Sequence, residues 1–128
     1  MSDSKIGQVG WFDLTVPDAE AVRTFYQKVV GWEAEPVEME GYSDYCMKPP
    51  GTDGPVGGIC HARGANAAMP AQWMLYITVA NLDESLAQCA ALGGSVVVPA
   101  RDSGDSRFAV IRDPAGAVCV LYQGASEG

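Results

Sequence analysis

The chain has 128 residues, 48% of them hydrophobic, and carries a net charge of -8. That length is most simply one domain with a packed core, burying about two-thirds of its unfolded surface. Only eight Lys and Arg are present and they form no cluster, which excludes the basic patch that nucleic acid or an anionic membrane needs.

Residues 1 to 8 are polar and are expected to be poorly ordered. The next stretch alternates: Phe12, Leu14 and Val16 share one face, and Trp11, Asp13 and Thr15 share the other, which predicts a strand. Pro17 ends it and Asp18 can cap a helix whose apolar stripe is Ala21, Val22, Phe25, Tyr26 and Val29, stopped at Gly31. Strands are expected at Trp32 to Met39, Tyr42 to Lys48 and Val56 to His61. The Gly57-Gly58 pair in the last of these points to a bulge or a close approach of backbone or ligand. Residues 62–72 are small and turn-prone and read as a linker.

From Trp73 the pattern starts again. Leu75, Ile77 and Val79 alternate with Met74, Tyr76 and Thr78, and Asn81 with Glu84 forms a capping box for a helix carrying Leu82, Leu86, Cys89 and Ala90. Ser95 to Pro99 is strongly β, 101–106 reads as a polar loop, and Phe108 to Ile111 and Val118 to Tyr122 are strands around an Asp113-Pro114-Ala115-Gly116 turn. Trp11 to Val16 is thus echoed by Met74 to Val79, and Gly54 to His61 by Gly116 to Gln123. The organisation is a single domain over 1–128, with βαβββ modules at about 8–61 and 73–123.

No apolar run reaches the ~20 residues of a bilayer span, and the N-terminus lacks a signal peptide's apolar segment, so a cytoplasmic protein is expected. Cys46, Cys60, Cys89 and Cys119 have no C-x-x-C spacing and read as reduced thiols. The single histidine, His61, follows Cys60, but adjacent strand side chains face opposite ways, which argues against a thiolate–imidazole pair. His61 reads instead as a strand-end surface residue.

The order and duplication of Leu14-Thr15-Val16-Pro17-Asp18, Phe25-Tyr26 through Gly31-Trp32, Asn81-Leu82-Asp83 and Asp113-Pro114-Ala115-Gly116 resemble the vicinal oxygen chelate superfamily, the glyoxalase/bleomycin-resistance/extradiol-dioxygenase group. The resemblance implies an α+β fold in which two βαβββ modules form a curved eight-stranded mixed sheet around a cup, with the helices outside. It also implies a divalent metal in the cup of catalytic members, held from the first and last strands of each module by His, Gln or Glu. The matching positions here are Trp11, Gly58, Met74 and Val120, which cannot bind a hard cation, since that needs oxygen or nitrogen donors. No metal and no other cofactor is therefore expected.

Asp13 is the one chemically able residue of the first strand. A carboxylate there must be paired, hydrogen-bonded or facing a wet cavity, as a ligand anchor, a general base or a structural group. Trp11, Tyr45, Tyr76, Phe108 and Tyr122 are candidate aromatic walls, with Gly58, Cys60, Met74 and Val120 also facing inward. Arg101 and Arg107, flanking the 102–105 loop, could hold an anionic group. The expected function is glyoxalase/bleomycin-resistance-like binding of a small aromatic or amphipathic molecule without metal, by a monomer or homodimer. Two alternatives stand beside it: a lyase, isomerase or dioxygenase-like enzyme using Asp13 as base or an unorthodox metal site, and a non-catalytic interaction module.

Overall fold

A computed structural model describes residues 6–64, 67 and 69–124. The expectations for residues 1–5, for linker positions 65, 66 and 68 and for the tail at 125–128 lie outside these described residues. The elements are β1 (Val9–Val16), α1 (Ala19–Val29), β2 (Glu33–Glu38), β3 (Ser43–Lys48), β4 (Gly57–His61), β5 (Trp73–Thr78), α2 (Leu82–Ala91), β6 (Ser95–Ser103), β7 (Ser106–Arg112) and β8 (Val118–Gln123). The class is α+β, and the strands belong to a mixed sheet of eight. Twice the order is βαβββ, as the echo in the sequence requires. Two compact units divide the chain, Trp11–Trp73 and the described residues of Met1–Gly10 with Met74–Gly128.

In the first unit, Trp11–Trp73, the strand order is β2-β3-β4-β1. β1 runs parallel to β4 in the register Asp13↔Gly58 and Thr15↔Cys60. A parallel pair needs a long crossover, which α1, β2 and β3 supply. Asp18 caps α1 by accepting from the Ala21 N–H at 3.0 Å, and Gly31 follows the helix at φ +90°, a conformation that L side chains avoid. The helix covers Leu14 and Val16 together with Tyr45, Met47 and Ile59. Its expected stripe is only partly used: Val22 and Tyr26 pack on this core, while Phe25 is 54% exposed and Val29 is exposed as well. Tyr26 also anchors an aromatic cluster with Trp32 and Trp73.

The Gly57-Gly58 pair is a close approach of strands. A Cβ at Gly57 would lie 2.7 Å from the Phe12 carbonyl oxygen, and one at Gly58 would run into the Asp13 carboxylate. Glycine alone lets β4 lie this near to β1.

In the second unit the strand order is β5-β8-β7-β6, with β5 parallel to β8 and the other pairs antiparallel. The start of the chain belongs to this unit because the Gly7 N–H donates to the Thr78 carbonyl at 2.8 Å and the Thr78 N–H to that of Gln8 at 3.0 Å. α2 is capped by Asn81, which accepts from the Glu84 N–H, and by Gln123 Oε1, which accepts from the Leu82 N–H at 2.7 Å. Leu82 is buried with Ala109 and Leu121, flanked by Ile77, Val79 and Leu86.

The polar loop expected at 101–106 is a tight hairpin. β6 continues to Ser103, pairs with Ser106, and turns through Gly104 at φ +61°. Pro99 ends the strongly β run in sequence but not in space. It sits on the edge strand where the register shifts between Val98 and Arg101, so its missing N–H breaks no ladder.

Candidate functional site

Strand alternation places Trp11, Asp13 and Thr15 on the face of β1 turned away from α1. The β1–β4–β3 register aligns Gly58 and Cys60 with them and brings Cys46 opposite Gly58. Asp13 is the centre of this face. Its carboxylate accepts from the Trp11 indole N–H at 3.3 Å and from the Cys60 thiol at 3.4 and 3.6 Å, and it occupies the space a Gly58 side chain would need. An indole N–H and a thiol are neutral donors, so the carboxylate is fixed in place without a salt bridge from either.

Burial, then the Asp13 and Asp44 carboxylates, push the Cys60 thiol far above the ordinary thiol range. Burial and the Glu35 and Asp13 carboxylates push Cys46 up as well. Both remain thiols at neutral pH. A neutral thiol is a poor nucleophile and a serviceable hydrogen-bond donor, which is the role Cys60 takes. The Cys60 thiol is directed to Asp13, and the His61 ring to Asp44.

His61 departs from its sequence reading. It is 18% exposed and not a surface residue, because one oxygen of Asp44, itself 15% exposed, accepts from the His61 backbone N–H at 2.9 Å and lies 3.3 Å from its Nδ1. The ring edge meets Tyr42, over which the Arg63 guanidinium stacks at 4.0 Å. Asp44 had no motif to betray it. Its parity with Cys46 on the third strand was the available signal, and it needed the β3–β4 register to be read.

The remaining sequence candidates scatter. Tyr45 belongs to the opposite face: it is buried with Leu14, Val16 and Ile59, under the Arg23 guanidinium at 4.8 Å, because its partner across the ladder is Ile59 and not Gly58. In the second unit Met74 and Val120 are fully buried, so they present no accessible wall. Tyr76 is half-buried. The Tyr122 hydroxyl is bonded to Ser106 Oγ at 3.0 Å, and the Phe108 ring lies under the Arg101 guanidinium at 4.7 Å. Arg107 does not aim at an anion site. Its guanidinium lies 3.2 Å from both oxygens of Asp83 and 3.4 Å from Asp102, so two carboxylates already neutralise it.

The metal expected of catalytic relatives of this fold can be tested against these residues. Gly58 has no donor atom and lies against the Asp13 carboxylate; Met74 and Val120 are buried apolar groups; the Trp11 indole is a donor already committed to Asp13. Among the described residues no three His, Cys, Asp or Glu side chains converge as a metal-holding set. The donor set does not fit a hard divalent cation at the expected positions.

A family model for the Glyoxalase/Bleomycin resistance protein/Dioxygenase superfamily matches residues 7–121. A Mycobacterium tuberculosis protein named "Putative glyoxylase CFP32" is 32% identical over 124 residues, covering 95% of this chain and 48% of its own length. The anthracycline biosynthesis protein DnrV of Streptomyces peucetius is 30% identical over 135 residues, covering 95% of this chain and 49% of its own. The chain therefore spans about half the length of the curated relatives it matches. Among solved structures, methylmalonyl-CoA epimerase from Mycobacterium tuberculosis superposes with a TM-score of 0.55 at 17% identity, covering 99% of this chain and 94% of the epimerase, which shows shared fold alone. With the βαβββ duplication and the family match over nearly its whole length, the chain belongs to the glyoxalase/bleomycin resistance protein/dioxygenase superfamily.

Proposed function

We propose that this chain binds a small amphipathic or aromatic molecule on the Asp13 face of its first unit, without a hard divalent cation. The observation that carries the reading is the setting of Asp13, a carboxylate fixed by an indole and a thiol over a glycine. A ligand hydroxyl or amine can donate to that carboxylate while an apolar ring lies against Trp11, the combination of flat surface and oriented polar group that small-molecule sites use. Relatives named for a glyoxylase and for anthracycline biosynthesis support a small-molecule role.

The test is a thermal-shift panel of small aromatic and amphipathic compounds. A true ligand at one hundred times its dissociation constant stabilises by about 2.7 kcal/mol. Binding alone predicts that Asp13→Asn keeps affinity within about tenfold, whereas a base role predicts turnover lower by ~100-fold or more. If no compound shifts the melt, the reading fails.

A second reading, metal-free proton transfer, is favoured by the Asp44–His61 pair, since a carboxylate at Nδ1 orients an imidazole for acid–base work. It predicts that His61→Gln abolishes turnover of a compound that still binds.

A further inference from the structure

We infer that the first unit carries a second small-molecule site, on the helix-side face of β1, for a flat and uncharged aromatic ring system. It is distinct from the Asp13 site: Phe12 faces the other way from Trp11 and Asp13, and the two faces share no lining residue.

A cavity of about 340 Å³ opens there, lined by Phe12, Trp32, Val56, Gly57 and Trp73. All five residues lack charge, and three are aromatic. The rings of Trp32 and Trp73 stand 5.9 Å apart at 80° to one another, so a ring inserted against one face meets the edge of the other. Offset stacking and edge-to-face contact, the two favoured aromatic geometries, are then available to one ligand at once.

Tyr26 holds both walls in position. It stacks on Trp32 at 5.8 Å and 28°, meets Trp73 edge-on at 5.4 Å, and accepts the Trp73 indole N–H at 3.0 Å. A half-buried indole with its N–H already satisfied offers the cavity only its carbon surface. Walls fixed in advance cost a ligand little ordering entropy. The floor is bare because Gly57 must be glycine, as any side chain there would strike Phe12.

Ring systems fit this space and broader partners do not. The volume lies at the small end of ligand pockets, ~300–1,000 Å³, while a helix needs a groove about 10–12 Å wide. The rim is apolar and wet, with Phe12 43% and Val56 38% exposed, so covering it removes hydrocarbon surface from water. A charged ligand would lose its hydration against five residues that return no charge.

The probe is 2-naphthol, titrated into the intact protein while the three Trp indole N–H signals are followed by NMR, each assigned by its Trp→Phe variant. The expected result is saturable movement of the Trp32 and Trp73 signals with Trp11 still. Val56→Trp, which fills the cavity from its rim, then weakens binding by about tenfold or more, a loss of ~1.4 kcal/mol, with the amide spectrum otherwise retained. Asp13→Asn leaves the Trp32 and Trp73 response in place, so failure of this site and failure of the Asp13 reading are separable. Movement of Trp11 alone overturns the inference, as does no saturable shift up to the solubility limit of the probe. So does a sedimentation profile showing that the face is closed by a second copy of the chain at working concentration.

Discussion

The two echoing strands share one pattern and carry different side chains on their faces away from the helices. In the first unit the face turned away from the helix is polar: Cys60 donates to Asp13 over a glycine, and Asp44 accepts from the His61 backbone N–H. In the second, the corresponding positions Met74 and Val120 are hydrocarbon or thioether and closed to solvent, with Val110 buried beside them in sequence parity. A polar side chain survives inside a fold only where partners meet it. The first unit supplies those partners from three strands; in the second, Met74 and Val120 serve packing, and the Tyr122 hydroxyl bonds to Ser106 Oγ.

The strongest way to break the comparison is to move the chemistry across. Val120 stands in the second unit where Gly58 stands in the first, and Val120→Asp would put a carboxylate at the position over which the first unit seats that of Asp13. At a fully buried position the charge should cost several kcal/mol. Loss of the cooperative urea transition, or its collapse to low denaturant, is the expected readout. A variant that melts like the parent would mean that the second face has hidden polar partners.

How far the sequence led can be judged on the same two strands. Parity placed Asp13 and Trp11 on one face and Leu14 and Val16 on the other, and the structure agrees, because a period of two is fixed by the strand itself. Caps at Asp18 and Asn81, the glycine stop at Gly31 and the βαβββ duplication were equally local and equally legible. Tyr45 and Asp44 were not. Their faces depend on which residue of β4 lies opposite, and one step of register exchanges them. Burial of Val120 and the partnering of Arg107 depend on elements far away in sequence, and no local pattern encodes either. The hairpin at 103–106 was hidden for another reason: its polar residues look like a loop although they pair.

A milder test sharpens the first unit. Gly58→Ala adds one methyl group where the Asp13 carboxylate lies, and either the strands part or the carboxylate leaves Trp11 and Cys60. The expected loss is about 1–3 kcal/mol by denaturant melt, typical of overpacking. Gly58→Ala combined with Asp13→Gly should recover part of it, since the space is then vacated. Absence of any recovery would show that backbone strain, and not the carboxylate, forbids the side chain.

The buried thiol gives a pH signature smaller again. Cys60 titrates far higher folded than unfolded, so its contribution is fully present below pH 9.0, the ordinary thiol value. As pH rises past that value the unfolded chain loses a proton that the folded chain keeps, and stability falls, by at most about 1.4 kcal/mol per pH unit. Cys60→Ala should flatten this decline between pH 9 and 10, though not abolish it, since burial raises Cys46 and Cys119 as well. Equal slopes in the variant and the parent would remove Cys60 as the cause.

The smallest effect is expected where charges are most numerous to the eye. Arg107 bridges Asp83 in the first turn of α2 and Asp102 on β6, and both carboxylates are about three-quarters exposed, at 73% and 79%. Exposed pairs gain little, since water screens the attraction and holding long side chains costs entropy. Arg107→Ala should leave the melting temperature within the scatter of repeat runs and change no ligand affinity. Raising salt should not distinguish the variant from the parent. Asp13, held by the Trp11 indole and the Cys60 thiol, should matter more to this protein than the exposed ion pairs of the other unit. A clear drop in melting temperature for Arg107→Ala would reverse that ordering and make the second unit the one held together by its polar groups.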